Sequence, residues 1–175
     1  MTELGLVRPD MAALVGQPYG AAVSYPVTAS DIRRWAIAVH FPEPPPAQYL
    51  DPEAEAQGRL VAPLDLDVFA WGAARTEPTG REIAVDPVLE MYGAMEHHLG
   101  VAPPDLPHGL HGGASVDYTG VRIRPGDVIA TATVIERYLE KTGRVGAMLI
   151  TDLATTWTNQ AGETVKVARM SQIRY

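Results

Sequence analysis

His40 and Glu43 stand three residues apart in His40-Phe41-Pro42-Glu43, close enough in sequence for an imidazole and a carboxylate to serve as an acid–base pair. Asp65 and Asp67 are a second pair of carboxylates. His111 directly precedes Gly112-Gly113, and a glycine pair lets backbone approach a ligand closely. Arg122 and Arg124 could meet phosphates, and Trp71 could line an apolar tunnel. Each has a structural alternative. His40 can end a helix while Glu43 faces water. The aspartates can steady a helix N-terminus, an effect of up to ~1 kcal/mol. His111 and its glycines can form a tight entry into a strand. Trp71 can fill core with Trp35, Phe41 and Phe69, and the arginines can face solvent. No metal site is expected. His97 and His98 are adjacent and so lie on different sides of a helix, and His108 and His111 flank a glycine in an irregular stretch. No cofactor is expected.

These groups need elements to hold them. Residues 1–27 read as a lead-in, with a helical turn at Met11–Val15 stopped by Gly16 and Pro18. Thr28 or Ser30 can cap a helix, and Asp31 suits its positive end. Ile32, Trp35, Ala36 and Val39 then share one apolar face, until Pro42 stops the helix. From Val61 to Trp71 apolar residues fall on nearly every side, which predicts a helix buried all round, with Pro63 in its first turn. A short helix is expected around Val88–Leu99.

After Gly112-Gly113 the chain is rich in Val, Ile, Thr and Tyr. Strands are expected over Ala114–Thr119, Val128–Tyr138, Val145–Asn159 and Glu163–Arg174, the last three as an antiparallel meander. The second should be covered on both faces. Arg124-Pro125-Gly126-Asp127 is a turn signal, and Lys141-Thr142-Gly143 and Asn159–Gly162 read as hairpin loops.

The chain has 175 residues, enough for one domain with a real core, and no linker or internal repeat divides it. Its net charge of −7 argues against nucleic acid as a partner. The absence of cysteine excludes disulfides, thiolate nucleophiles and cysteine-ligated metals. No signal peptide and no apolar run of about 20 residues are visible, so the expectation is a cytoplasmic protein that does not engage a membrane.

Several motifs, in this order, resemble one family. Ile32-Arg33-Arg34-Trp35-Ala36-Ile37-Ala38-Val39 resembles the first helix of MaoC-like dehydratase N-terminal domains, also called FAS1-like dehydratase domains. Gly58-Arg59-Leu60-Val61-Ala62-Pro63-Leu64-Asp65-Leu66 is similar to the opening of their central helix. Leu110-His111-Gly112-Gly113 looks like the glycine pair before their second strand. Val121–Asp127 resembles their Gly-Asp turn, and Thr155–Glu163 their final hairpin. The resemblance runs from about residue 20 to the C-terminus. It implies an α+β hot-dog fold, a curved antiparallel sheet wrapped around a central helix. It also implies a thioester substrate on coenzyme A or acyl carrier protein, and reversible hydration of an enoyl thioester.

Active members of that class carry Asp and His in a Gly-Asp-x-Asn-Pro-x-His pattern after the first helix. Here His40-Phe41-Pro42-Glu43-Pro44-Pro45-Pro46-Ala47 follows, with no Asp, Asn or His at the matching spacing. The resemblance therefore implies a hydratase subunit that shapes the acyl tunnel beside a dyad-bearing hot-dog partner. Two alternatives stay open. One is a stand-alone homodimeric thioesterase or dehydratase using His40, Asp65 and Asp67. The other is a non-catalytic acyl-coenzyme A-binding module.

Overall fold

Thr28 opens the longest helix among the described residues, α2 (Ala29–His40), by a reciprocal cap. Its hydroxyl accepts from the Asp31 N–H at 3.1 Å, and the Asp31 carboxylate accepts from the Thr28 N–H at 2.8 Å and from its hydroxyl at 2.7 Å. Ile32 and Ala36 on the inner face are fully buried. Phe41 leaves the helical conformation and Pro42 prevents its return. The computed structural model describes residues 4–70, 74–76 and 94–175. Within them lie three further helical turns, α1 (Pro9–Ala12), α3 (Ala47–Leu50) and α4 (Ala94–His98). α4 falls within the helix expected around Val88–Leu99; the rest of that stretch lies outside the described residues.

Among the described residues six strands form one antiparallel sheet: β1 (Pro18–Ser24), β2 (Ala74–Thr76), β3 (Gly109–Tyr118), β4 (Ala130–Gly143), β5 (Gly146–Thr158) and β6 (Thr164–Arg174), in the order β2-β1-β4-β5-β6-β3. β4, β5 and β6 make the expected meander. Their first turn, however, is Arg144-Val145, and Lys141-Thr142-Gly143 continues β4. Gly146, at φ +103°, meets the positive backbone angle there. The second turn is closed by Asn159, whose side-chain oxygen accepts the N–H groups of Ala161 and Glu163, both at 3.0 Å. Arg124–Asp127 turns as expected, with the Asp127 carboxylate accepting the Arg124 N–H at 2.8 Å.

Three expectations need correction. The lead-in contains β1, which pairs with β4; its run Gly20-Ala21-Ala22 carries little strand propensity, and the ladder to a partner more than 100 residues away decides it. On β4, Thr131 and Ile135 are buried while Ala132 and Val134 are half-buried, so one face is covered more fully than the other. The described residues 61–70 form turns rather than a helix. Their polar backbone groups are satisfied from outside: the Ala62 N–H donates to the Ile123 carbonyl at 2.8 Å, Arg122 donates to the Ala62 carbonyl, and Lys166 Nζ donates to the Leu66 carbonyl at 2.9 Å.

Burial of that segment follows the sequence pattern even so. Leu60, Ala62, Leu66 and Val68 join Ile32, Ala36, Ile129, Trp157 and Val165 in the main core. A second cluster of Leu14, Met95, Ile135 and Leu153 forms further along. Leu153 and Trp157 are an even number of residues apart on β5, so both clusters sit on the same face of the sheet. At the edge, every residue of β3 from Leu110 to Tyr118 is exposed.

Candidate functional site

The loop after α2 is where the resemblance places catalytic groups. His40 Nδ1 lies 2.8 Å from the Ala36 carbonyl. A carbonyl only accepts, so this nitrogen carries the proton and the ring closes the last helical turn. Glu43 is exposed, and no hydrogen bond joins it to His40 among the described residues. The sequence therefore brings these two residues close along the chain, and the fold leaves them unpaired.

Asp65 is exposed, and Asp67 accepts the Phe69 N–H at 2.9 Å in a local turn. Both carboxylates bear on Lys166, a residue the sequence reading did not single out. Lys166 is 6% exposed and its Nζ stands 4.0 Å from the Trp157 ring centroid. Burial lowers its pKa, and the charges of Asp67 and Asp65 oppose that shift. Its sequence signal is a lysine flanked by two valines near the start of a strand.

His111, Gly112 and Gly113 lie on β3. Gly112 is the extra residue of a bulge, between the pairs His111–Gln172 and Gly113–Ser171. A Cβ on Gly112 would sit 3.0 Å from Ile173 Cγ1 and 3.1 Å from the Ser171 carbonyl. Gly113 takes φ +130°, a region side chains disfavour. The close approach that needs Gly112 is thus made to β6. His111 stays exposed beside it. Arg124 Nη1 donates to the Gly58 carbonyl at 2.8 Å and, with Arg122, ties the Gly58–Ala62 segment to the turn. Trp71 lies outside the described residues. Among the described residues no hydrogen bond or ion pair joins His40, Asp65, Asp67 and His111 to one another, and no group of three or more His, Asp or Glu could hold a metal.

A buried polar array at the other end of the sheet also escaped the sequence reading. Glu96 of α4 and Arg174 of β6 are fully buried and form a two-pronged ion pair. Thr151 accepts from Arg174 at 2.7 Å, and the Tyr138 hydroxyl donates to Glu96 at 2.9 Å. Burial, then the Glu96 charge and that hydrogen bond, push Tyr138 well above the ordinary phenol range. Tyr19, stacked on His98 at 6.3 Å, is pushed up to about 12, first by burial and then by Glu96. No local pattern marks these residues, because five of them come from five separate elements.

A family model described as FAS1-like, dehydratase domain region, matches residues 13–168. Among solved structures, the ChsH1–ChsH2 complex from Mycobacterium tuberculosis is similar with a TM-score of 0.63 at 14% identity, over 99% of this chain and 93% of that one. The C-terminally truncated HadBC complex from Mycobacterium tuberculosis, a 3R-hydroxyacyl-ACP dehydratase, is similar with a TM-score of 0.51 at 19% identity, over 91% and 96% of the two chains. A structure described as a MaoC-like dehydratase gives 0.53 at 19% identity, over 93% of this chain and 42% of the other. These likenesses show the hot-dog fold. No curated protein matches the sequence significantly. Among the described residues, no helix is long and apolar enough to cross a membrane.

Proposed function

Because the chain belongs to the FAS1-like dehydratase domain family, we propose that it is one subunit of an (R)-specific enoyl thioester hydratase. It is the half that lacks the Asp/His dyad and walls the acyl tunnel of a catalytic hot-dog partner. The observation that carries this reading is the loop after α2. Its one imidazole is bound to its own helix backbone, its carboxylate faces solvent, and Pro42, Pro44, Pro45 and Pro46 fill the rest. Hydration adds the oxygen of water to the β-carbon of an enoyl thioester and a proton to the α-carbon. It needs a positioned base, a positioned acid and a dipole on the thioester oxygen. Here the base and acid come from the partner.

The sheet edge supports pairing. β3 presents a run of exposed backbone that another sheet can extend. Val116, Tyr118 and Met170 share one side of it and are 41%, 41% and 38% exposed, an apolar strip suited to a partner. Two of the similar structures are complexes named for two components. In such a pair His111, on the same strand, lies at the junction and is offered to substrate with Gly112 and Gly113, while Trp71 and Arg124 remain candidates for the tunnel and the carrier phosphates.

The test is co-expression with a dyad-bearing hot-dog encoded nearby, followed by hydration assays on a series of enoyl thioesters, each protein also assayed alone. Activity confined to the mixture, with a co-eluting complex, is the expected result. Activity of this chain alone overturns the reading and makes His40, Asp65 and Asp67 the next residues to replace.

A further inference from the structure

We propose that the outer face of α2 docks a second copy of this chain, the two helices running antiparallel and each placing its Phe41 in a pocket of the other. The inference does not depend on the hydratase reading above and assigns a surface which that reading leaves open. α2 buries Ile32 and Ala36 against the core. On its opposite side Asp31, Arg34, Ala38 and Phe41 follow one another at intervals of three or four residues and form one stripe, with Ile37 beside it. Ile37 is 49% exposed and Phe41 is 81% exposed, where an ordinary surface helix carries polar groups. The two ends of the stripe are unlike. At the N-terminal end a cavity of about 310 Å³ opens between Tyr25, Pro26 and Val27, Asp31 and Arg34 of α2, and Val68. At the C-terminal end the Phe41 ring projects into solvent.

A face with an apolar hole at one end and a projecting ring at the other is self-complementary under a two-fold axis. Arg34 and Phe41 are ~10 Å apart along the helix. An axis passing between Ile37 and Ala38 sets each Phe41 at the level of Arg34 in the second copy, at the mouth of the pocket. Ala38, small and exposed, lies at the centre, where packed helices approach to roughly 8–10 Å. Charge selects the same arrangement. Arg34 is exposed and makes no ion pair or hydrogen bond among the described residues, and the same holds for Glu43, two residues beyond Phe41. Antiparallel docking brings Arg34 of each copy beside Glu43 of the other, which gives two equivalent ion pairs. Parallel docking would set Arg34 against Arg34. The Asp31 carboxylate in the pocket wall is already engaged by the Thr28 N–H and hydroxyl, so Arg34 is the free charge that Glu43 meets there. The surface is distinct from the open sheet edge, because β4, β5 and β6 separate β1, beside the pocket, from β3. A chain extended along β3 can therefore still dock through α2.

Sedimentation velocity of the purified chain over a range of concentrations tests this. Wild type should pass from monomer to dimer as concentration rises. Phe41→Ser should weaken that dimer roughly thirtyfold, the loss typical of a buried aromatic anchor. Val116→Lys, on β3, should leave it unchanged. Arg34→Glu and Glu43→Arg should each weaken self-association by setting like charges together. An equal mixture of these two variants should form the dimer again, because each chain then meets opposite charge on the other at both ends of α2. A wild-type chain that stays monomeric overturns the proposal. So does a dimer that Phe41→Ser leaves intact, or one that Val116→Lys abolishes, or a mixture of the two charge variants that associates no better than either alone. Neither a hot-dog partner nor a thioester enters the experiment, so failure of the hydratase assay leaves this result standing, and the reverse holds too.

Discussion

Arg174 and Glu96 meet through two parallel hydrogen bonds, Nη1 to Oε2 at 3.0 Å and Nη2 to Oε1 at 2.8 Å, with neither side chain exposed at all. The pair joins a short helical turn to the last strand. Removing one partner strands the other charge in a place water does not reach. Arg174→Ala should therefore lower unfolding free energy by about 3–5 kcal/mol in denaturant titration. Arg137→Ala breaks an ion pair whose arginine is largely exposed and should cost less than about 1 kcal/mol. Equal losses would show that the buried pair contributes nothing special.

The same array sets an alkaline limit. Tyr19 and Tyr138 have their pKa raised in the folded state, so the native protein holds these protons more tightly than the unfolded chain. The stability they contribute is complete below pH 10, the unfolded value, and for Tyr19 falls away as pH rises towards about 12. Tyrosinate absorbance should show two hydroxyls ionising late, together with unfolding. Tyr19→Phe and Tyr138→Phe should each remove one late hydroxyl and flatten the fall in stability.

Gly112→Ala should disturb the β3–β6 ladder. The new methyl meets Ile173 Cγ1 and the Ser171 carbonyl, and the carbonyl belongs to backbone that cannot swing aside. A loss of about 1–3 kcal/mol is expected from such overpacking. Ile173→Ala in the same chain removes one of the two contacts and should make the Gly112→Ala step cheaper than it is in the wild-type background. A strictly additive double variant would place the clash elsewhere.

Val116→Lys puts a charge on the exposed edge strand without touching the core. If β3 is the pairing edge, the complex with a hot-dog partner should dissociate in light scattering while the monomer's denaturation midpoint stays near wild type. Retention of the complex would move the interface away from this strand.

Much of this molecule is legible along the chain. Thr28 and Asp31 announce the start of α2 and Pro42 its end, because capping and proline stops depend on neighbours within four residues. The meander is legible for the same reason. Its turns need glycine or asparagine at defined places, and its strands favour branched residues whatever lies beside them. The burial of Leu60, Ala62, Leu66 and Val68 also follows from their apolar character.

What tertiary structure decided is where the polar partners are. Residues 61–70 have the apolar pattern of a buried helix, but Ile123, Arg122 and Lys166 supply hydrogen bonds from about 60 to 100 positions away, and the backbone takes those in place of its own. β1 is a strand because β4 lies beside it. His40 and Glu43 are neighbours in sequence yet share no hydrogen bond, His40 binding the Ala36 carbonyl instead, while Glu96 and Arg174, 78 residues apart, share two hydrogen bonds. Sequence records which chemical groups exist and the local turns they favour. Only the folded chain determines which of them meet, since a hydrogen bond depends on distance through space and carries no trace of separation along the backbone.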